Sequence, residues 1–489
     1  MNHLVSDTPA RVSIGGRFDN SYARLPGRFF QNIAPDQLAA PKVIKVNFAL
    51  ARGLGLALDG LDAARLAAVF SGNALPVGAE PVAQAYAGHQ FGGFSPQLGD
   101  GRAVLLGEVI DPAGRRWDVA LKGSGRTAFS RGGDGKAAVG PVLREYLISE
   151  AMAGLGIPAT RALAAVTTGE MVRREGMLPG AVFCRVAASH VRVGSFQFFA
   201  ARGDAEGLKV LADYVIARHY PEAAAAENPY LALLAGVVGR QAALIARWMG
   251  VGFIHGVINT DNMTVSGETI DFGPCAFMEA YDPGAVYSAI DAYGRYKYSN
   301  QPGIAVWNLA RFAETLLPLF GMEDDAAVEA ATSVVNSFSA AYEAAWLGEL
   351  RGKLGVVGED AGDAALGQGF LDLLQAREVD FTMGWRALED AGRLTALVGG
   401  DAAAQAWSAA WGARAGDGVA ARVRGKNPVY VARNHLVERA IAAGLRGDFS
   451  RFEELNDVLA RPFEAQAGRE DYALPARAEE KVLQTFCGT

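Results

Sequence analysis

Cysteine is scarce: Cys184, Cys275 and Cys487 are the only three in 489 residues. Three scattered thiols support neither a disulfide framework nor a cysteine-based zinc site, and a reducing compartment is the default for such a chain. A basic excess is also missing. The formal charge of −7 argues against general affinity for nucleic acid, because neutralising phosphates calls for a basic face. The opening MNHLVSDTPARVSIGGRF lacks an apolar core of secretory-signal length, and Asp7 comes early for a mitochondrial presequence. The most apolar long stretch, LALLAGVVGRQAALIARWMGVGFIHGVI, is interrupted by Arg240, Gln241 and Arg247. It therefore predicts a buried helix and the short segment after it, with no membrane partner. A cytoplasmic address is expected. No tandem repeat and no Pro/Gly-rich linker divides the chain.

What is present is ample apolar material, 50% of residues against 20% charged, enough for a substantial core. From Arg102 to Gly123 two β-rich runs, AVLLGEVI and WDVALKG, flank DPAGRR, a hairpin signal. Gly-rich stretches lie on either side, HQFGGFSPQLGDG before and GSGRTAFSRGGDGKAAVG after. VLREYLISEAMAGLGI then has helical spacing and stops at Gly156 and Pro158. ALAAVTTGEMVRRE and AVFCRVAASHVRVGS read as strands separated by the turn-prone GMLPG. From Gly207 to Gly250, and again beyond Tyr281, the pattern is helical. The outline is α+β: a small sheet-rich lobe followed by a large helical one.

Chemistry concentrates in HGVINTDNMTVSGETIDFG, His255 to Gly273. A polar loop and a strand-end carboxylate form the pattern of a metal–phosphate site, since Mg²⁺ takes hard oxygen ligands and needs few from the protein. Asn262 and Asp271 are the natural pair. A DFG triplet alone is more often an ordinary turn, and Lys122 or Glu145 alone a solvated charge. The order of parts changes that: Gly-rich loop, strand-borne Lys122, helix-borne Glu145, Asp/Asn loop, then DFG, as in protein kinases. One kinase part is missing. After His255 come Gly256 and Val257, with no acid at the position of the kinase base, while Asp261 lies directly before Asn262. Gly99, Gly101 and the cationic Arg102 replace a kinase's small phosphate-covering residues. Of the further arginines, Arg126, Arg131, Arg185 and Arg192, the last two lie in an apolar, strand-like stretch where an unpaired charge is costly, so an anion is their expected partner.

The blocks GHQFGGFSPQLGDGRAVLLGE, LKGSGRTAFSRGGDGKA, LREYLISEAMAGLGIPATRAL, RVAASHVRVGSF, HGVINTDNM, TIDFGP and GRYKYSNQP with WNLAR resemble the selenoprotein O (YdiU-type) family. They run from about Gly88 to Arg311, and NPVYVARNHL with the cysteine near the C-terminus extends the likeness. Ile258, Phe272 and the SGRTAFSR variant differ conservatively from the commoner family pattern. The selenocysteine position is plain Cys487.

The resemblance implies one protein-kinase-like domain over 1–489, with an N-lobe over about 1–200 and a helical C-lobe and tail over 201–489. It implies ATP bound in an inverted orientation and AMP transferred to Ser, Thr or Tyr hydroxyls of protein substrates, with pyrophosphate leaving. Lys122, Arg185 and Arg192 would hold the phosphates and Glu145 would orient Lys122. Gly99, Gly101, Arg102, Asp134 and Gly135 would line the nucleotide site. Asn262 and Asp271 would bind Mg²⁺ (or Mn²⁺), and Asp261 would accept the proton. A disulfide between Cys275 and Cys487 restraining the segment beside the metal site is a further expectation, set against a buried thiol and a free tail thiol. Three alternatives stay open: a true kinase, disfavoured by Val257; an inactive nucleotide-binding scaffold, disfavoured by retained metal ligands; and UMP transfer from UTP with Mn²⁺.

Overall fold

The hairpin expected around DPAGRR forms the middle of the main sheet. A computed structural model describes residues 9–486. Its nine-stranded antiparallel sheet begins with β1 (Phe30–Asn32), β2 (Lys42–Val46) and β3 (Val82–Gln84). A separate hairpin of β4 (Gly88–Gln90) and β5 (Gly93–Ser95) intervenes. The main sheet then continues with β6 (Ala103–Ile110), β7 (Arg116–Lys122), β8 (Arg161–Arg173) and β9 (Met177–Ala187), in the spatial order β1-β3-β6-β7-β9-β8-β2. Two short strands, Arg17–Phe18 and Ala137–Ala138, pair with β6 and β9. The β6–β7 turn closes because the Asp111 carboxylate accepts the Ala113 and Arg115 backbone N–H groups, and Gly114 takes a positive φ.

Both faces of the sheet are covered, which is why its central strands read as continuous apolar runs rather than as alternation. Leu105, Ala120 and Phe183 face the large core, whereas Leu106, Val119, Leu121 and Cys184 face a smaller cluster under the helix Ala63–Ser71. On the large-core side lies α1 (Val139–Gly154), buried nearly all round. After β9 come α2 (Val193–Ala200), α3 (Ala205–His219), α4 (Pro229–Gly250), α5 (Gln301–Leu316) and α6 (Asp324–Leu354), then further helices to α7 (Asn434–Gly444) and α8 (Ser450–Leu459). By length and composition α4 is long and apolar enough to cross a membrane. Here it packs against α5 and α6 with Leu233, Leu234, Val237, Val238 and Ile245 buried, and Arg240 and Arg247 stay on its exposed side.

The C-terminal helices return to α1. Gly444 of α7 lies against Leu143, the Tyr146 and Phe452 rings meet edge-on at 5.3 Å, and Arg144 pairs with Glu438. The late part of the chain thus buttresses the helix carrying Glu145.

Three local expectations need correction. The turn between β8 and β9 lies at Arg174–Gly176, so most of GMLPG is strand, with Met177 paired to Arg173 and Pro179 to Met171. Strand β9 ends at Ala187, and Arg192, expected on a strand, is the N-cap residue of α2. No regular strand precedes Asp271, expected as a strand-end carboxylate, and Thr269 makes only single bridges, to Met263 and Ala159. In each case tertiary partners outweighed a local preference. Cys275 is buried, and Cys487 lies outside the described residues.

Candidate active site

A cavity of about 780 Å³ opens between the sheet and the helical part of the chain. Gly99, Gly101, Arg102, Lys122, Asp134, Gly135, Glu145, Arg185, Arg192, Asp261, Asn262 and Asp271 all line it, with Arg126 and Arg131. Residues spread over more than a third of the sequence are brought together by a few elements. Lys122 ends β7, flanked by Ala103 and Phe183 on the neighbouring strands. Arg185 lies on β9, Glu145 on α1, and Asp271 just beyond the Thr269 bridge.

At the floor, cations converge on two carboxylates. Lys122 Nζ donates to Glu145 Oε2 at 2.6 Å and to Asp271 Oδ1 at 2.7 Å. Arg185 Nη1 donates to Glu145 Oε1 at 3.2 Å and Asp271 Oδ1 at 2.9 Å, and Arg192 Nη1 reaches Asp271 Oδ2 at 3.3 Å. Burial alone would raise the Asp271 pKa, but Lys122, Arg185 and Arg192 hold it well below the usual carboxylate range. Its backbone has a φ of 63°, left-handed for a non-glycine residue, a strained conformation of the kind found at ligand sites.

Asp261 has the opposite environment. Buried, it is pushed up to about pKa 6 by desolvation, against the lowering influence of Gln90 and Arg192. Gln90 Nε2 donates to its Oδ2 at 2.9 Å, while Oδ1 has no hydrogen-bond partner. Gly88 permits this placement, since a Cβ there would sit 2.9 Å from Asp261 Oδ1. Next to it, the Asn262 amide nitrogen donates to Val257 O at 3.0 Å, which leaves its carbonyl oxygen as the end available to a cation. The loop is pinned from behind by the buried His255, whose Nε2 donates to Ile270 O at 2.9 Å.

Among the described residues no group of three or more His, Cys, Asp or Glu has metal-holding geometry. An Asn carbonyl, the Asp271 carboxylate and the unpartnered Asp261 Oδ1 are hard oxygens, the donor set that suits a cation completing its shell with water and phosphate.

The remaining predicted residues form the rim. Gly99, at φ 70°, passes under Phe129 so closely that a Cβ would lie 2.2 Å from the ring. Asp134 does not face the cavity as a lone charge. It pairs with Arg174 at 2.9 Å, which with the Lys136 N–H lowers its pKa.

Sequence reasoning passed over four contributors. Tyr86 lies under the Arg192 guanidinium, 4.4 Å from the ring centroid, and buried Asp100 accepts the Gln84 N–H at 3.0 Å beside it. Asp100, between Gly99 and Gly101, was findable as an acid in the Gly-rich loop. His190 and Asp118 carried no such signal. Arg185 Nε donates to His190 Nε2 at 3.1 Å, and His190 Nδ1 donates to Asp118 Oδ2 at 2.9 Å. This pairing requires a neutral imidazole, and burial, opposed by Asp118 and aided by the nearby arginines, lowers the His190 pKa to about 4. Asp118 is held from the far side by Arg218 of α3 at 2.5 Å.

Comparison with known proteins establishes the family. A family model described as protein adenylyltransferase SelO matches residues 14–459. A protein nucleotidyltransferase YdiU of Rhizobium leguminosarum bv. trifolii is 58% identical over 494 residues, covering 96% of this chain and 97% of that protein. Those of Rhizobium rhizogenes, 56% identical with all of both chains covered, and of Agrobacterium fabrum, 56% identical with 97% and 100% covered, are similarly related. With the likeness extending over nearly the whole length, the chain belongs to the SelO (YdiU) family of nucleotidyltransferases.

Proposed function

We propose that this enzyme transfers AMP from ATP to Ser, Thr or Tyr hydroxyls of other proteins, in the cytoplasm, on a protein-kinase-like scaffold of two lobes, about 1–200 and 201–489. The observation that carries the reading is the pairing of opposites: a three-cation floor around Asp271 and Glu145, and beside it a buried Asp261 with one unpartnered oxygen. Phosphates entering the cavity would draw the N–H groups of Lys122, Arg185 and Arg192, whose geometry suits tetrahedral anions. The attacking hydroxyl must lose its proton as its oxygen bonds the α-phosphorus and the bond to pyrophosphate breaks. Asp261, with a pKa lifted toward neutrality, suits the acceptor role. Asn262 and Asp271 would hold Mg²⁺, which when bound neutralises charge on the phosphate oxygens. Gln90 fixes the Asp261 carboxylate, and Tyr86 with Asp100 fixes Arg192.

Val257 supports this over γ-phosphoryl transfer, since a buried apolar residue stands where a kinase has its base. The test uses ATP labelled separately at the α- and γ-phosphates, with a general protein acceptor, Mg²⁺ and an Asp271→Ala control. Label is expected from the α-position alone. Transfer from the γ-position would make the protein a kinase, no transfer with ATP still bound would make it a scaffold, and preferential transfer from labelled UTP with Mn²⁺ would change the nucleotide.

A further inference from the structure

Beside the nucleotide cavity runs a second, shallower groove of about 660 Å³, lined by Phe91, Ile290, Tyr293, Arg295 and Lys297 among others. Phe91 and Ile290 border both spaces, so the two are continuous. From this groove we propose that the enzyme docks its acceptor as an extended segment carrying an acidic residue within a few positions of the hydroxyl. The inference rests on the reading that the acceptor is a protein hydroxyl, and deepens it.

The groove has the makings of an interaction surface. Phe91, Ile290 and Tyr293 are 39%, 60% and 99% exposed, and all three line the one groove. Phe91 also has a φ of 52°, a costly conformation for an aromatic residue. It is held there by donating its N–H to Asn259 Oδ1 at 3.2 Å and Tyr296 Oη at 3.1 Å. The strain turns an aromatic ring outward at the junction of the two spaces. The preceding residue, Gln90, is the one that donates to Asp261, so the groove begins one residue from the candidate proton acceptor.

Charge selects the occupant. In a chain of net charge −7, the floor arginines Arg185 and Arg192 are paired with carboxylates, whereas Arg295 and Lys297 have none within ion-pair distance among the described residues. The Arg295 guanidinium lies 4.8 Å from the Trp307 ring centroid, and its Nε lacks a hydrogen-bond partner. The nearest acid of the loop, Asp291, is buried and accepts the backbone N–H groups of Arg295 and Tyr296. It is engaged in shaping the loop and does not neutralise the cations. A stacked arginine and an exposed lysine flanked by apolar rings match a carboxylate next to an apolar side chain.

Three peptides with one central serine and acidic, neutral or basic flanks are compared in two assays on the full-length protein: fluorescence anisotropy binding with Mg²⁺ and a non-hydrolysable ATP analogue, and transfer of α-labelled AMP. The acidic peptide is expected to bind about tenfold more tightly than the neutral one. In Arg295→Glu/Lys297→Glu the order should reverse in favour of the basic peptide, with the ATP-induced rise in unfolding temperature retained as the folding check. The milder Arg295→Gln should reduce the preference without reversing it. Equal preference in wild type and charge-reversed protein would overturn the groove while leaving α-label transfer intact. Charge-dependent binding without any label transfer would instead sink the transfer reading, and with it the identification of the bound segment as an acceptor.

Discussion

Two loops of the same site put a carboxylate under opposite conditions. Asp271 has three cations within hydrogen-bonding distance and is held strongly acidic, whereas Asp261 is buried with a single neutral donor and is lifted to a pKa of about 6. Environment, not residue type, sets the two roles: the first carboxylate stays ionised as a fixed anion, and the second is poised to exchange a proton. The difference has a stability side as well. Removing Asp271 would leave Arg192 without its hydrogen-bonded carboxylate and Lys122 and Arg185 sharing Glu145 alone, while removing the charge of Asp261 relieves a desolvated one.

The comparison breaks most visibly at Asp271. Asp271→Ala is expected to lower α-label transfer by about a thousandfold or more, and to lower unfolding stability by about 3–5 kcal/mol, as for loss of one partner from a buried ion pair. Labelled-ATP assays and urea unfolding check both. Asp261→Asn should separate the two effects: transfer falls by about 10²–10⁴-fold, yet ATP affinity is kept and the unfolding midpoint does not fall. An Asp261→Asn protein that bound ATP poorly or unfolded early would show that Asp261 belongs with Asp271 as a charge in the phosphate floor.

Legibility in the sequence tracks the range of the interactions. Lys122, Glu145, Asn262 and Asp271 each belong to a local pattern, a strand, a helix or a polar loop, so their order along the chain suffices to group them, and they do line one cavity. The sheet hairpin and the buried α4 were legible for the same reason. Long-range supports were not. His190 in an apolar run reads as a core histidine, and nothing near it names Asp118, its partner 72 residues away. The return of α7 and α8 onto α1 depends on Gly444 and Phe452 meeting residues from the first third of the chain. Arg192 reads as a strand residue because its neighbours are apolar, although its bridge to Thr264 ties it to the Asp261 loop.

His190 sharpens the comparison from the Asp271 side, because it acts on Asp271 through Arg185. His190→Leu should lower kcat/KM for ATP by about tenfold, the value of a hydrogen bond to a charged group, and His190→Gln, which retains an acceptor, should recover part of it. In a double-mutant cycle with Arg185→Lys, which removes the Nε donor, the two losses should fall short of additive. Additive losses would mean that His190 supports the fold without orienting Arg185.

The smallest effect is the most diagnostic of protonation. An unfolded His190 takes up a proton near pH 6.5, but in the folded protein it remains neutral until about pH 4. Between those values the unfolded state binds more protons, so folding stability is lost as pH falls through this window, by up to about 3 kcal/mol at its lower end. Other groups titrate there too, so the quantity to measure is the difference between wild type and His190→Leu in urea unfolding at pH 7 and pH 4.5. The variant should lose less stability on acidification than the wild type. If both lose the same amount, the native pKa of His190 is that of the unfolded chain; if the wild type loses less than the variant, His190 is protonated in the native protein at neutral pH. An imidazolium has no lone pair at Nε2 to accept from Arg185, so that result would dissolve the link from Asp118 to the phosphate floor, leaving Arg185 oriented by Glu145 and Asp271 alone.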